Sequence, residues 1–169
     1  MGEQDRTRKI LGHRGAPEES IPDIALYMDQ VTGYLDRVLG DAVCERDAPA
    51  LTRTMINNYV KSRVVPRPLK KRYQREHLMV LLVLFYLKNV LSLAEIQTFL
   101  ARFGDSQKKA DSLYRMFLEV QEEVMQETRD KAGALLDPAQ SETERNRLLL
   151  RLLLEADVNK RLVGSVLKK

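Results

Sequence analysis

One cysteine, two histidines, eight glycines, six prolines and no tryptophan stand among the 169 residues, and each scarcity removes a class of protein. Cys44 alone can close no intramolecular disulfide and build no cysteine-rich zinc site. His13 and His77 show no metal-ligand spacing around them, so no bound metal is expected. With so few breakers, long stretches are free to be helical. The longest apolar run, Leu78 to Leu87, has ten residues, where a bilayer span needs about 20. The first 22 residues hold no apolar core, so a secretory signal is not expected and a soluble cytoplasmic protein is. A glycine-rich phosphate loop is also missing. The carboxylate pairs Glu122-Glu123 and Glu142 with Glu144 fall on polar helix faces without a nucleophile or histidine beside them. Neither an enzyme nor a cofactor is expected.

What is present is a helical period. Hydrophobic residues make up 44% of the chain, enough for a core. Residues 1–21 mix charge with Gly12, Gly15 and Pro17 without periodicity and read as a mobile arm. Asp23 is a candidate N-cap for a helix that buries Ile24, Tyr27, Val31, Tyr34 and Val38 and closes at Gly40. Asp41 to Ala50 reads as a loop. Thr52 then caps a short helix to Lys61, with Met55, Ile56, Tyr59 and Val60 inward. Pro66 and Pro68 bar its continuation, and residues 66–73 can hold two very short strands. Gln74 to Asn89 is dense enough in leucine to be the central buried helix.

Ser92 and Glu95 form a capping box before a helix from Ile96 to Phe103, which Gly104 ends. A long helix is predicted from Ser106 to Lys131, broken by Gly133 and Asp137-Pro138. Ser141 with Glu144 caps the last helix, where Leu148 to Leu154 hold six leucines in seven positions. That helix is apolar nearly all round and is expected to be buried, in its own domain or against a partner. The fold class is therefore all-α, parsed as residues 1–21, 22–104, 105–136 and 137–169.

Charge is strongly polarised. Lys and Arg number 28 against 24 Asp and Glu, a net +4. Between Asp47 and Glu76, however, there is no acidic residue and eight basic ones: Arg53, Lys61, Arg63, Arg67, Lys70, Lys71, Arg72 and Arg75. The remaining 20 basic residues face all 24 acidic ones, a net −4 for the rest of the chain. Like charges crowd in this way where a polyanion is the partner, and double-stranded DNA is the commonest. The short helix adds Thr52, Thr54, Asn57 and Asn58, whose side chains suit base edges, and Tyr73 closes the basic segment. These residues together are the DNA-binding candidates. Cys44, beside Asp41, Glu45 and Arg46, offers only a weak case for thiol sensing.

Specific stretches resemble a bacterial family, domain of unknown function 1836. They are Pro22-Asp23-Ile24 with Leu26 to Val31, Met55 to Lys61, and Lys71-Arg72-Tyr73 with His77-Leu78. The resemblance spans roughly residues 20–125 and implies no chemistry. Thr54 to Leu100 is more distantly similar to the winged helix-turn-helix of MerR-type transcriptional regulators. That resemblance implies a recognition helix at about 52–62, a basic, very short wing at 63–75, and a long dimerising helix after Leu100. Asn57 stands where the MerR pattern has arginine, and Arg63 where it has glycine. Within the long helix, Leu113, Phe117, Val120 and Val124 step by heptad spacing, with Met116 widening the stripe, and are the expected homodimer seam. The function expected is a dimeric, DNA-binding transcriptional regulator. The alternative is a helical protein-interaction module that keeps the fold without using it on DNA.

Overall fold

The structure, a computed structural model, describes residues 3–42, 50–104, 108–137 and 139–168. Among them are seven α-helices and no strand: α1 Glu3–Gly12, α2 Met28–Leu39, α3 Arg53–Lys61, α4 Arg75–Leu87, α5 Leu93–Ala101, α6 Lys108–Ala132 and α7 Glu142–Leu167. The all-α expectation is met. In place of the two short strands are isolated antiparallel bridges, Leu69 with Arg72 and Leu26 with Tyr73. Cys44 with most of its loop, Ser106 and Pro138 lie outside the described residues. The chain divides into two compact units, Gly15–Val120, and Met1–Arg14 with Gln121–Lys169.

In the first unit α4 is the core. Its nine residues from His77 to Phe85 are all buried, on every side of the helix, so α4 is surrounded rather than laid on a surface. Around it are buried Val31, Tyr34 and Leu35 of α2, Ile56 and Tyr59 of α3, Ile96 and Leu100 of α5, and Leu113 and Tyr114 of α6. The Ser92–Glu95 capping box is formed, with Ser92 Oγ accepting from the Glu95 N–H and Glu95 Oε2 accepting from the Ser92 N–H. Gly104, at φ +78°, takes the left-handed turn past the end of α5.

Helix α5 begins at Leu93, directly after its Ser92 cap, and not at Ile96, and two further starts differ from expectation. Helix α2 begins at Met28, not after Asp23, and Ile24 and Tyr27 are exposed. Leu26 spends its N–H and C=O on Tyr73, both bonds 2.8 Å, which holds residue 26 extended. The cap is then made by Gln30, whose Oε1 accepts from the Tyr27 N–H at 2.9 Å. The second difference is α1, where no apolar period predicts a helix. Glu3, Gln4, Arg6, Arg8, Lys9 and Leu11 are strong helix formers, Leu11 is buried, and the Leu11 carbonyl accepts from Arg129 Nη1 at 3.2 Å.

Helix α4 is capped by an unusual acceptor, His77 Nδ1, which takes the Gln74 N–H at 3.0 Å. His77 is buried, with its ring edge-on to Tyr73 at 5.7 Å. Burial pushes its pKa below the ordinary 6.5, against the opposing pull of Glu76. The folded state thus holds a neutral imidazole that the unfolded chain protonates first. Stability is complete above pH 6.5 and falls as the pH drops from there towards the lowered folded value. Thermal melts from pH 7 to about 5.5 are expected to show this loss in the wild type. His77→Gln, which keeps an acceptor for the cap and cannot titrate, should stay flat over the same window.

Candidate nucleic-acid interface

Helix α3 is set by its N-cap and two anchors. Thr52 Oγ1 accepts from the Met55 N–H at 3.1 Å. Just before it, the Ala50 N–H donates to Asp36 Oδ1 at 2.9 Å, and the Ala50 carbonyl accepts from Lys88 Nζ at 2.7 Å. Lys88 is half-buried there, and burial lowers its pKa. Ile56 and Tyr59 point into the core, and burial raises the Tyr59 phenol, keeping it neutral. The opposite side of the helix is Arg53, Thr54, Asn57, Asn58 and Lys61, all exposed as the period predicts. Val60 is only half-buried, and Met55, expected inward, is partly exposed at 37%.

The chain leaves α3 through Ser62 and Arg63. Arg63 has φ +61°, and the N–H groups of Val64 and Val65 both turn back to the Tyr59 carbonyl at 2.9 and 3.1 Å. Val64 and Val65 are buried, and Gln97 of α5 donates to the Ser62 carbonyl at 2.7 Å. After Pro66-Arg67-Pro68 comes a tight turn, Leu69-Lys70-Lys71-Arg72, closed by the Arg72 N–H to the Leu69 carbonyl at 2.9 Å. Lys70 and Lys71 are both at positive φ, +50° and +62°, as in a type I′ hairpin turn. Lysine is a poor choice for that backbone, which asparagine and glycine adopt at far lower cost. Two consecutive strained residues at an exposed tip, both cationic, favour charge over stability.

Two contacts tie the helix and the turn to one place. Arg53 pairs with Asp29, in the first turn of α2. Arg72 donates through Nε and Nη2 to the Tyr27 hydroxyl at 3.1 and 2.9 Å and lies over the same ring. Tyr27 and Asp29 are two residues apart, so the start of α2 gathers both basic elements. Sequence periodicity puts Tyr27 on the inward face and gives no sign of either role.

Two of the expected DNA-binding residues are placed elsewhere. Tyr73 is buried at 4% exposure, its backbone paired with Leu26 and its phenol raised by burial. Arg75 is turned inward: Nη1 donates to the Ile21 carbonyl at 2.8 Å and to Asp23 Oδ1 at 3.0 Å, and Nη2 to the Glu18 carbonyl at 2.6 Å. It fastens the 18–23 segment to α4, helped by Tyr114, whose hydroxyl donates to the Ala16 carbonyl at 2.7 Å. Arg63, Arg67, Lys70, Lys71 and Arg72 are exposed.

The expected seam is also partly used. Leu113 is buried in its own core, and Phe117 packs on Tyr86 and Tyr114 at 5.1 and 5.8 Å between ring centres. Met116, Val120 and Val124 are left exposed. Among the described residues no group of three or more His, Cys, Asp or Glu could hold a metal, and no helix is long and apolar enough to cross a membrane.

No curated protein and no solved structure matches this chain. A family model does, over residues 16–118, which takes in the whole basic face, the α4 core and the first part of α6. The chain belongs to the family described as a domain of unknown function, DUF1836.

Proposed function

We propose that the chain is a DNA-binding transcriptional regulator of helix-turn-helix type, with α3 as recognition helix and the segment 63–75 as a short basic wing. The observation that carries this reading is the exposed face shared by α3 and the Lys70-Lys71 turn. It offers Arg53, Lys61, Arg63, Arg67, Lys70, Lys71 and Arg72 to phosphates and Asn57 and Asn58 to base edges. The positive φ of Arg63 supports the MerR-like likeness, since the MerR pattern has glycine at that place and glycine takes that backbone freely. A homodimer completes the reading, because one short helix reads only half of an operator.

Anisotropy titration of a labelled random duplex at about 50 mM salt tests it, followed by selection of the bound sequences. Binding is expected, and Asn57→Ala or Asn58→Ala should cost about 1–3 kcal/mol on the selected sequence while leaving random duplex affinity unchanged. Absence of binding at low salt would instead make the chain a protein-interaction module.

A further inference from the structure

The leucine block does not behave as its composition predicts. In its first half helix α7 half-buries one narrow side, Arg145, Leu148, Leu152 and Glu155, and exposes Leu149, Leu150, Leu153 and Leu154, the third of these at 69%, while Leu167 at its end is buried. A groove of about 460 Å³ runs along the exposed side, lined by Arg147, Leu150, Arg151, Leu154, Glu155 and Val158. An apolar face of this extent is covered in solution.

The order of residues along it indicates by what. Arg147, Leu150, Leu154, Asp157 and Arg161 recur at steps of 3, 4, 3 and 4, the spacing of a two-helix coiled-coil seam, with two leucines at its centre and charges at its ends. The first four are self-complementary only when the sequence runs backwards on the facing helix. An antiparallel copy centred near residue 152 sets Leu150 against Leu154 and Arg147 against Asp157, each twice. A parallel copy in register stacks Arg147 on Arg147 and Asp157 on Asp157. The segment is about 15 Å long from Arg147 to Asp157, and Leu153 and Val158 flank it. The existing Asp157–Arg161 pair is exposed, the Arg151–Glu155 pair one turn before it has Glu155 half-buried and shared with Lys131, and neither involves Arg147. Such surface pairs hold their partners weakly.

We infer that α7 pairs antiparallel with α7 of a second copy of this chain, through a Leu150–Leu154 centre closed at each end by an Arg147–Asp157 pair. This does not rest on the DNA reading. It moves the main dimer contact from α6, whose stripe is partly consumed by its own core, to α7.

Light scattering and sedimentation of the full chain between about 1 and 100 μM test it. The wild type is expected to dimerise. Arg147→Asp and Asp157→Arg should each raise the dimer dissociation constant about tenfold, since each creates two like-charge contacts per dimer. The double variant Arg147→Asp/Asp157→Arg should return to within about threefold of wild type. Both substitutions are on exposed positions, and circular dichroism checks that α7 stays helical in all three variants. A wild type that remains monomeric at 100 μM overturns the inference, whether or not it sediments with anionic phospholipid vesicles. So does a dimer indifferent to the single reversals, or one the double reversal fails to restore.

Discussion

The variant Lys70→Asn/Lys71→Gly is expected to be more stable than the wild type and to bind DNA about 10- to 100-fold more weakly. Stability should rise because both replaced residues sit at positive φ, a conformation that costs a side chain with an ordinary Cβ on the order of 1 kcal/mol or more. Asn-Gly is the pair that a type I′ turn prefers. Glycine's extra freedom in the unfolded chain returns part of the gain, leaving about 1–2 kcal/mol, or roughly 2–4 °C in the melt per kcal/mol. Affinity should fall because two cations leave the phosphate-facing tip. If about six charges of the wild type engage, log Kd changes with log salt by a slope near 5, roughly a thousandfold between 50 and 200 mM. The double variant should lower that slope by close to 2. More stability with an unchanged salt slope would mean that the strained turn serves something other than phosphate binding.

Much of this face was legible from residue order because its causes are local. Thr52 bonds three residues ahead, the inward Ile56 and Tyr59 of α3 lie one turn apart, and the capping boxes at Ser92–Glu95 and Ser141–Glu144 are complete within four residues. The parts that were not legible all depend on a distant partner. Leu26 is held extended by Tyr73, 47 positions on, which delays α2 by a turn and takes Tyr73 into the core. Asp23, expected as a cap, instead accepts from Arg75. Tyr27, which holds Arg72, belongs to the helix face that periodicity assigns to the interior, and Asp29, which holds Arg53, is not on that face. The α7 leucines fail for a related reason: composition states that they need a cover and is silent on which chain supplies it.

Arg75 supplies the sharpest separation between a charge that binds and a charge that builds. Arg75→Ala is expected to destabilise the chain by about 2–4 kcal/mol, since hydrogen bonds from a charged donor contribute about 1.5–3 kcal/mol each and two carbonyls, of Glu18 and Ile21, lose theirs together. The ion pair with Asp23 adds little, because that carboxylate is 85% exposed. Arg75→Lys should recover only part of the loss: an ammonium cannot reproduce the fork by which two guanidinium nitrogens reach two different carbonyls. Thermal melts measure this. Binding at about 15 °C, where the variant is still folded, should show the wild-type salt slope, because this guanidinium is turned towards the 18–23 segment and not towards solvent. Lys71→Ala is the mirror control, nearly neutral in the melt and shallower in the slope by about 0.9. If Arg75→Ala instead melts like the wild type and flattens the slope, the side chain swings out to the phosphates. The 18–23 segment would then be held chiefly by the Tyr114 hydroxyl on Ala16.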